Sequence, residues 1–208
     1  MNSNDPHVIT DLAGLRAAVG ESNPGIALKV HDKLDRFAVD FIGRSPFLVL
    51  STCDSNGNID ASPKGDAPGF VEVLNDTTLL IPDRPGNKLI FGHQNILDNP
   101  KIGLLFLIPG TPETVRVNGT AELTTDPALI SGLAARGKPA VLVIRVHVEE
   151  VFFHCAKAFV RSGLWKPEQW ADRYKVSFGE MFREWTGAGE DAVKTVDEAI
   201  ENDIRDNL

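Results

Sequence analysis

Apolar residues recur along this chain with two periods, and the changes of period mark the elements. Leu12, Leu15 and Val19 share a helical face and predict a short helix over residues 8–19. Ile26, Val30, Leu34, Phe37 and Phe41 recur at helical spacing and predict a second helix from Pro24 to Ile42, with Pro24 at a first helical position. That stripe is read as core packing, with a subunit contact as the other reading. From Phe47 the pattern changes. Phe47–Thr52 is an apolar strand, and Asp54-Ser55-Asn56-Gly57-Asn58 is a hairpin turn in which Asn-Gly supplies positive φ angles. Ile59–Asp66 is the return strand. Pro63 inside it cannot donate to a ladder, which places this strand at an edge or a barrel opening. Phe70–Leu74 and Thr77–Pro82 form a second hairpin around Asn75-Asp76.

Residues 84–110 join three parts in order: a basic turn marked by glycine and proline, a short amphipathic helix, and a fully apolar strand. Apolar residues at 89, 90, 96 and 97 fit one helical face, and Asn99-Pro100 stops the helix because proline disfavours the helical conformation of the residue before it. Residues 102–108 are apolar on both faces and predict a buried strand. Arg84 and Lys88 flank the helix start, where free backbone N–H groups and the helix dipole favour an anion. This is the profile of a phosphate clamp. Glu113–Thr124 continues the sheet with Thr114, Arg116 and Asn118 on one face. A short helix follows from Asp126-Pro127 to about Ala135, then a long strand over residues 140–153. After it, helical spacing puts Lys157 and Arg161 on one face, and the tail from Val176 is acidic with a helical pattern. Two consecutive hairpins, a helix and further strands indicate an antiparallel barrel and not a βαβ sheet.

Composition narrows the function more than the fold. The 208 residues carry a net charge of -8, which argues against generic nucleic-acid binding; an anionic cofactor has to be held by local basic residues. No apolar stretch reaches bilayer-spanning length, and the polar, acidic start has no signal-peptide pattern. Cys53 and Cys155 are far apart and suit reduced thiols, so the cytoplasm is the expected compartment. His93, His147 and His154 make no metal-ligand pattern, and no metal is expected. Walker, GxGxxG and nucleophile-elbow patterns are absent, and no acid–base residue stands out as catalytic.

A strand ending at Ile81-Pro82, a basic turn with Asn87-Lys88, then "NPKIGLLF" resembles the FMN-binding core of the pyridoxamine 5'-phosphate oxidase-like split-barrel family. The resemblance runs upstream through "FLVLSTCDSNGNIDASPKGD" and downstream through "ETVRVNGTAEL", over roughly residues 45–155. It implies a mainly β fold: a six-stranded antiparallel split β-barrel with N- and C-terminal helices. The expected layout is a single domain with a helical arm over 1–44, the barrel over 45–155 and a helical extension over 156–208. It implies FMN, with the phosphate held by Arg84, Asn87 and Lys88, Arg84 standing in for an arginine common at position 87. Ser62, Pro63 and Lys64 match the strand along the flavin ring, and Ile81 and Pro82 the neighbouring strand position. Thr114 and Arg116 match a strand that reaches the flavin across a dimer interface, so a homodimer is implied. The segment after the last strand departs from the oxidases proper, and the chain is similar instead to a bacterial branch of FMN-dependent enzymes. There Lys157, Arg161 and Trp165 would close over the flavin or hold an anionic substrate. The function expected is an FMN-dependent oxidoreductase on an unidentified small molecule, with a nicotinamide compound as donor. A non-catalytic flavin-binding module, or a split barrel binding haem or a deazaflavin, stays open.

Overall fold

The computed structural model describes residues 5–86 and 88–207. Its strands are β1 (Phe47–Cys53), β2 (Ile59–Gly65), β3 (Glu72–Asn75), β4 (Thr78–Asp83), β5 (Lys101–Leu107), β6 (Thr114–Thr124) and β7 (Leu142–His154). They pair antiparallel in the order β2-β1-β5-β6-β7-β4-β3. This is a mainly β, antiparallel split barrel with helices at both ends. Seven strands are present where six were expected: the four-residue β3 hydrogen-bonds to β4 and forms an edge of its own. Pro63 sits in β2 at the other edge, where its missing donor costs no ladder bond on the open side.

The core forms where strand alternation turns apolar residues inward. Leu48, Leu50, Phe106, Val115, Val117, Ile144 and Val146 are fully or almost fully buried. β4 is buried on both faces: Leu79 and Ile81 join this core, while Leu80 packs with Ala140 and Val143. The second cluster is covered by Leu129 and Ile130 of α4 (Pro127–Gly132) and by Leu133 just after it. β7 pairs with both β6 and β4, and its register with β6 shifts between Asn118 and Gly119. At this bulge a Cβ on Gly119 would overlap the His147 carbonyl, so glycine is a steric requirement.

The predicted first helix is present as α1 (Leu12–Val19), but the single helix from Pro24 to Ile42 is not. A 3-10 segment, Pro24–Lys29, is followed by extended chain and then α2 (Arg36–Arg44). Tertiary bonds override helical propensity here. His31 exchanges backbone hydrogen bonds with Val151, and Leu34 N–H donates to the Asp76 carbonyl. Asp35 then starts a new helix, its carboxylate accepting from the Phe37 and Ala38 N–H groups at 3.0 and 2.8 Å. Of the five-residue stripe, Leu34 and Phe41 are buried, whereas Ile26, Val30 and Phe37 are exposed.

The helix after the basic turn, α3 (Phe91–Asp98), also differs from expectation. Ile96 is buried, but Leu97 is exposed and Leu89 and Ile90 precede the helix. α3 lies on β1 and β2 with Gly92 at the contact, where a Cβ would stand 3.0 Å from Asp60 Oδ2, the end of a flexible side chain. Asn95 Nδ2 donates to Thr52 Oγ1 at 3.0 Å and fixes the contact. After β7 come α5 (Lys157–Ser162), α6 (Phe178–Thr186) and α7 (Glu190–Asn207). α6 and α7 pack on each other, with Asp197 of α7 accepting from Ser177 Oγ and the Gly179 N–H at the start of α6. Among the described residues no helix is long and apolar enough to cross a membrane.

Gly119→Ala is expected to lower stability by ~1–3 kcal/mol, the cost of forcing extra volume into a packed site. Gly43→Ala, in α2 with open space around its Cβ, is expected to be neutral or to stabilise by up to ~1 kcal/mol. Urea denaturation of both variants checks the contrast; equal effects would remove the steric role of Gly119.

Candidate functional site

Alternation along β2 turns Asp60, Ser62 and Lys64 to one half-buried face, leaving Ala61 and Pro63 exposed. α3 crosses that face through Gly92. Between them lies a cleft of about 250 Å³ lined by Leu50 of β1, by residues 60–64 of β2, and by Leu89, Phe91, Gly92 and His93. The α3 end that faces it has no side-chain cap and no acidic residue in its first turn. Its free N–H groups are therefore available to an acceptor or an anion. Lys88, in the turn leading to α3, holds φ 60°, a left-handed conformation that non-glycine residues adopt at a cost.

At the back of the cleft three ionisable side chains meet. Lys64 Nζ donates to Asp83 Oδ1 at 2.6 Å, and both side chains are largely buried. His93 Nε2 lies 3.6 Å from Asp83 Oδ2, within reach of an ion pair but too long for a hydrogen bond. That nitrogen is buried and has no hydrogen-bond partner. Burial alone would raise the Asp83 pKa, but the His93 and Lys64 groups facing it outweigh that, and the carboxyl is held below its ordinary 3.8. Beside this cluster Arg84 Nε donates to Asp66 Oδ2 at 2.8 Å and Nη1 to the Leu133 carbonyl at 2.8 Å. Arg136 Nη2 is 3.9 Å from Asp66 Oδ1. Asp66 is likewise held below 3.8: burial raises it, and the Ala67 N–H and the Arg84 and Arg136 charges more than compensate.

The residues singled out from sequence are thus distributed unevenly. Ser62, Pro63 and Lys64 line the cleft, and Lys88 lies close by in sequence to its rim residue Leu89. Arg84 is committed to Asp66 and Leu133, which turns a residue expected to face a phosphate into a structural tie. Position 87 lies outside the described residues. Ile81 and Pro82 are buried in β4 and do not line the cleft. Thr114 is buried in β6, while Arg116 is exposed with its guanidinium 6.0 Å from the Phe152 ring centroid. Lys29 Nζ approaches the same ring at 5.9 Å. Burial, then the charges of Arg116 and Lys29, lower the pKa of neighbouring His154, which keeps it neutral near neutral pH. Lys157 and Arg161 are exposed on α5, but the helix does not continue to Trp165. Gly163 ends it with φ 62°, and Trp165 folds back to stack on Phe159 and donate to the Thr111 carbonyl.

Sequence reasoning missed Asp60, Asp66, Asp83 and His93. Pairings across eighteen or nineteen residues leave no periodic trace, and a lone histidine carries no motif. Among the described residues no group of three or more His, Cys, Asp or Glu is arranged to hold a metal ion. The donor set suits a flat heteroaromatic ligand with an anionic arm. Leu50, Leu89 and Phe91 give an apolar wall, the orphaned His93 nitrogen and Lys64 give polar groups, and the open α3 end gives an anion seat. A flavin phosphate fits that description.

A family model described as pyridoxamine 5'-phosphate oxidase matches residues 34–155. No curated protein matches the chain. Among solved structures, HupZ of Group A Streptococcus is 23% identical, with 58% of this chain and 93% of that one covered at a TM-score of 0.47. A putative pyridoxamine 5'-phosphate oxidase of Lactobacillus delbrueckii is 27% identical, with 59% and 95% covered at a TM-score of 0.47. An FMN-binding protein of Syntrophomonas wolfei is 12% identical, with 56% and 80% covered at a TM-score of 0.41.

Asp83 and Asp66 have depressed pKa values in the folded state, so their contribution is complete above the ordinary aspartate value and is lost as pH falls through the lower folded value. Denaturant stability should therefore hold level down to about pH 5 and decline below about pH 4. Asp83→Asn should cost ~2–4 kcal/mol at neutral pH, because it leaves Lys64 without its anion in a largely buried place, and should flatten part of the acid decline. Stability measured across that range in wild type and variant checks this; an unchanged acid decline in the variant would remove Asp83 as its source.

Proposed function

The chain belongs to the pyridoxamine 5'-phosphate oxidase family, and from that premise we propose that it is a flavin-dependent oxidoreductase of a small molecule, with FMN held in the cleft between β2 and α3. The observation that carries the reading is the meeting of an apolar wall, an open helix start and an orphaned polar nitrogen in one cleft. The α3 N–H groups and Lys88 would receive the phosphate. Leu50 and the β2 backbone from Ala61 to Pro63 would lie against the ring, with Lys64 and His93 toward its polar edge. A flavin bound there supplies two-electron chemistry; the protein binds it, orients it and sets the charge around it. A nicotinamide compound is the proposed donor. Arg84 works one step back: it fixes Asp66 and the Leu133 carbonyl and so shapes the basic turn.

The reading extends to assembly. We infer a homodimer in which Arg116 of one subunit reaches toward the flavin of the other, while Thr114, buried in β6, stays within its own subunit. Arg116 and Lys29 around Phe152 form a cationic, aromatic outer face on β6 and β7, suited to an anionic ring system brought by a second copy. The exposed Ile26, Val30 and Phe37 give that copy apolar surface to bury. Lys157 and Arg161 would hold an anionic substrate at its edge, on an α5 pinned by Trp165. Both cysteines are free thiols, in keeping with a cytoplasmic protein.

Fluorescence titration of apo-protein should give a much lower Kd for FMN than for riboflavin. Lys88→Ala should weaken FMN binding by roughly 10–100-fold and leave riboflavin unaffected, the worth of a charge-assisted contact to phosphate. Arg84→Ala should lower the melting temperature more than Lys88→Ala does. Equal affinity of the wild type for both ligands would overturn the phosphate assignment. Slow bleaching of the flavin bands by a nicotinamide donor would distinguish a reductase from a binding module.

Light scattering should show a dimer with one FMN for each subunit. A monomer holding stoichiometric FMN would overturn the shared site, and with it the role given to Arg116.

A further inference from the structure

A second group of cations gathers where the loop between α4 and β7 meets the ends of β2 and β4. Ala135 and Lys138 exchange backbone hydrogen bonds, each of 2.9 Å, and close a two-residue turn over Arg136 and Gly137. Both central residues have positive φ, 51° and 75°, the left-handed pair that such a turn requires. Asparagine and glycine take those positions readily, whereas arginine takes the first of them at a conformational cost. The Arg136 guanidinium is turned toward Asp66, but Nη2 stands 3.9 Å from Oδ1, too far for a hydrogen bond. That carboxylate is already occupied. Oδ2 accepts from Arg84 Nε and Oδ1 from the Ala67 N–H, both at 2.8 Å. Arg136 is therefore held near a carboxylate that does not hydrogen-bond it, with its side chain 59% exposed.

A cavity of about 90 Å³ lies between this turn and the strand ends, and its wall carries Arg84, Arg136 and Lys138 against the single carboxylate of Asp66. It shares no lining residue with the cleft between β2 and α3. It does share Asp66, Arg84 and Ala135 with an adjoining hollow of about 360 Å³, whose wall adds Pro68, Phe70, Leu133 and one further carboxylate, Glu72. Three cations around one carboxylate that is already paired form a local seat for an anion, in a chain whose net charge of -8 repels anions elsewhere. We propose that this cavity binds a compact oxyanion, the phosphate or carboxylate group of a small molecule, on Arg136 and beside Lys138, with the adjoining hollow receiving the rest of that molecule. A guanidinium presents paired N–H donors in a plane, the geometry that meets two oxygens of such a group. Arg84 adds positive charge to the wall but stays on Asp66 and the Leu133 carbonyl, so the closure of the barrel is undisturbed. The site is distinct from the flavin seat proposed at the start of α3 and stands whether or not a flavin binds there.

The test titrates the full chain, with and without excess FMN, with inorganic phosphate and with acetate, against sodium chloride at matched ionic strength. At least one oxyanion should raise the melting temperature above its value in chloride and move the Arg136 Nε–H resonance to saturation, with the same apparent Kd in the presence and absence of FMN. Whether phosphate, acetate or both act tells which group the natural ligand carries. Arg136→Asn removes the charge while suiting the left-handed turn, so it should melt at or above the wild-type temperature in chloride. It should nevertheless bind the oxyanion roughly 10-fold more weakly, the loss of one charge-assisted contact. Four results would overturn the proposal: no response beyond that to chloride, equal oxyanion affinity in Arg136→Asn, a lower melting temperature of that variant in chloride, which would make Arg136 a structural tie to Asp66, or displacement of the oxyanion by FMN, which would make the cavity part of the flavin's own seat. Failure of FMN to bind would overturn the flavin reading alone, and the titration without FMN would still decide this one.

Discussion

Everything in this molecule depends on how an open sheet is closed. In the order β2-β1-β5-β6-β7-β4-β3, the strands β2 and β4 are never ladder neighbours. Yet Lys64 of β2 touches Asp83 of β4, and Asp66 just past β2 touches Arg84 just past β4. Side-chain ion pairs therefore do across the split what backbone hydrogen bonds do elsewhere in the sheet. Both pairs are largely shielded from water, so each partner strongly requires the other, although neither pair need add much over an apolar closure of the same shape. What the pairs provide is a fixed gap. The cleft lies beside that gap, and the cations that a phosphate site would recruit are the same ones that hold the barrel shut.

That double use explains which parts of the site were legible in the sequence. Strand positions could be read from alternation, and the edge placement of β2 from Pro63, because both are properties of one strand at a time. The basic turn could be read from composition. What could not be read is that Arg84 and Lys64 already have carboxylate partners, because Asp66 and Asp83 stand eighteen and nineteen residues away and join them only through curvature of the sheet. A sequence reading counts cations, whereas the structure counts cations left uncompensated. The same limit applied to the Pro24–Ile42 stripe. Its spacing is helical, but the bridge of His31 to Val151 and the cap at Asp35 are tertiary facts, and they divide the segment in two.

The placement of α3 shows the opposite case, where one small residue carries much of the geometry. Gly92 lets the helix sit close to Asp60 and Thr52 of the sheet, where a Cβ would press on the Asp60 carboxylate at 3.0 Å. The open N–H groups and His93 belong to the first turn of that helix. Lys88 reaches it through a left-handed backbone conformation that costs free energy in the absence of some return. Strain before the helix, no cap on it and an orphaned nitrogen within it all fall in six consecutive residues, from 88 to 93. Each violates a local rule of good construction, and such violations concentrate where a protein acts and not where it merely folds.

The C-terminal third follows a different logic. α6 and α7 pack on each other, and Phe178, Phe182 and Trp185 of α6 remain exposed at helical spacing. α5 is held to the barrel by Trp165, which stacks on Phe159 and bonds the Thr111 carbonyl in the loop between β5 and β6. The tie therefore passes from the end of β7 to the start of β6, the strand pair that carries Arg116, Phe152 and His154 on its outer face. A single aromatic anchor thus sets where Lys157 and Arg161 stand relative to that cationic face. Both basic groups stand beyond the end of β7, four places from β2 in the strand order.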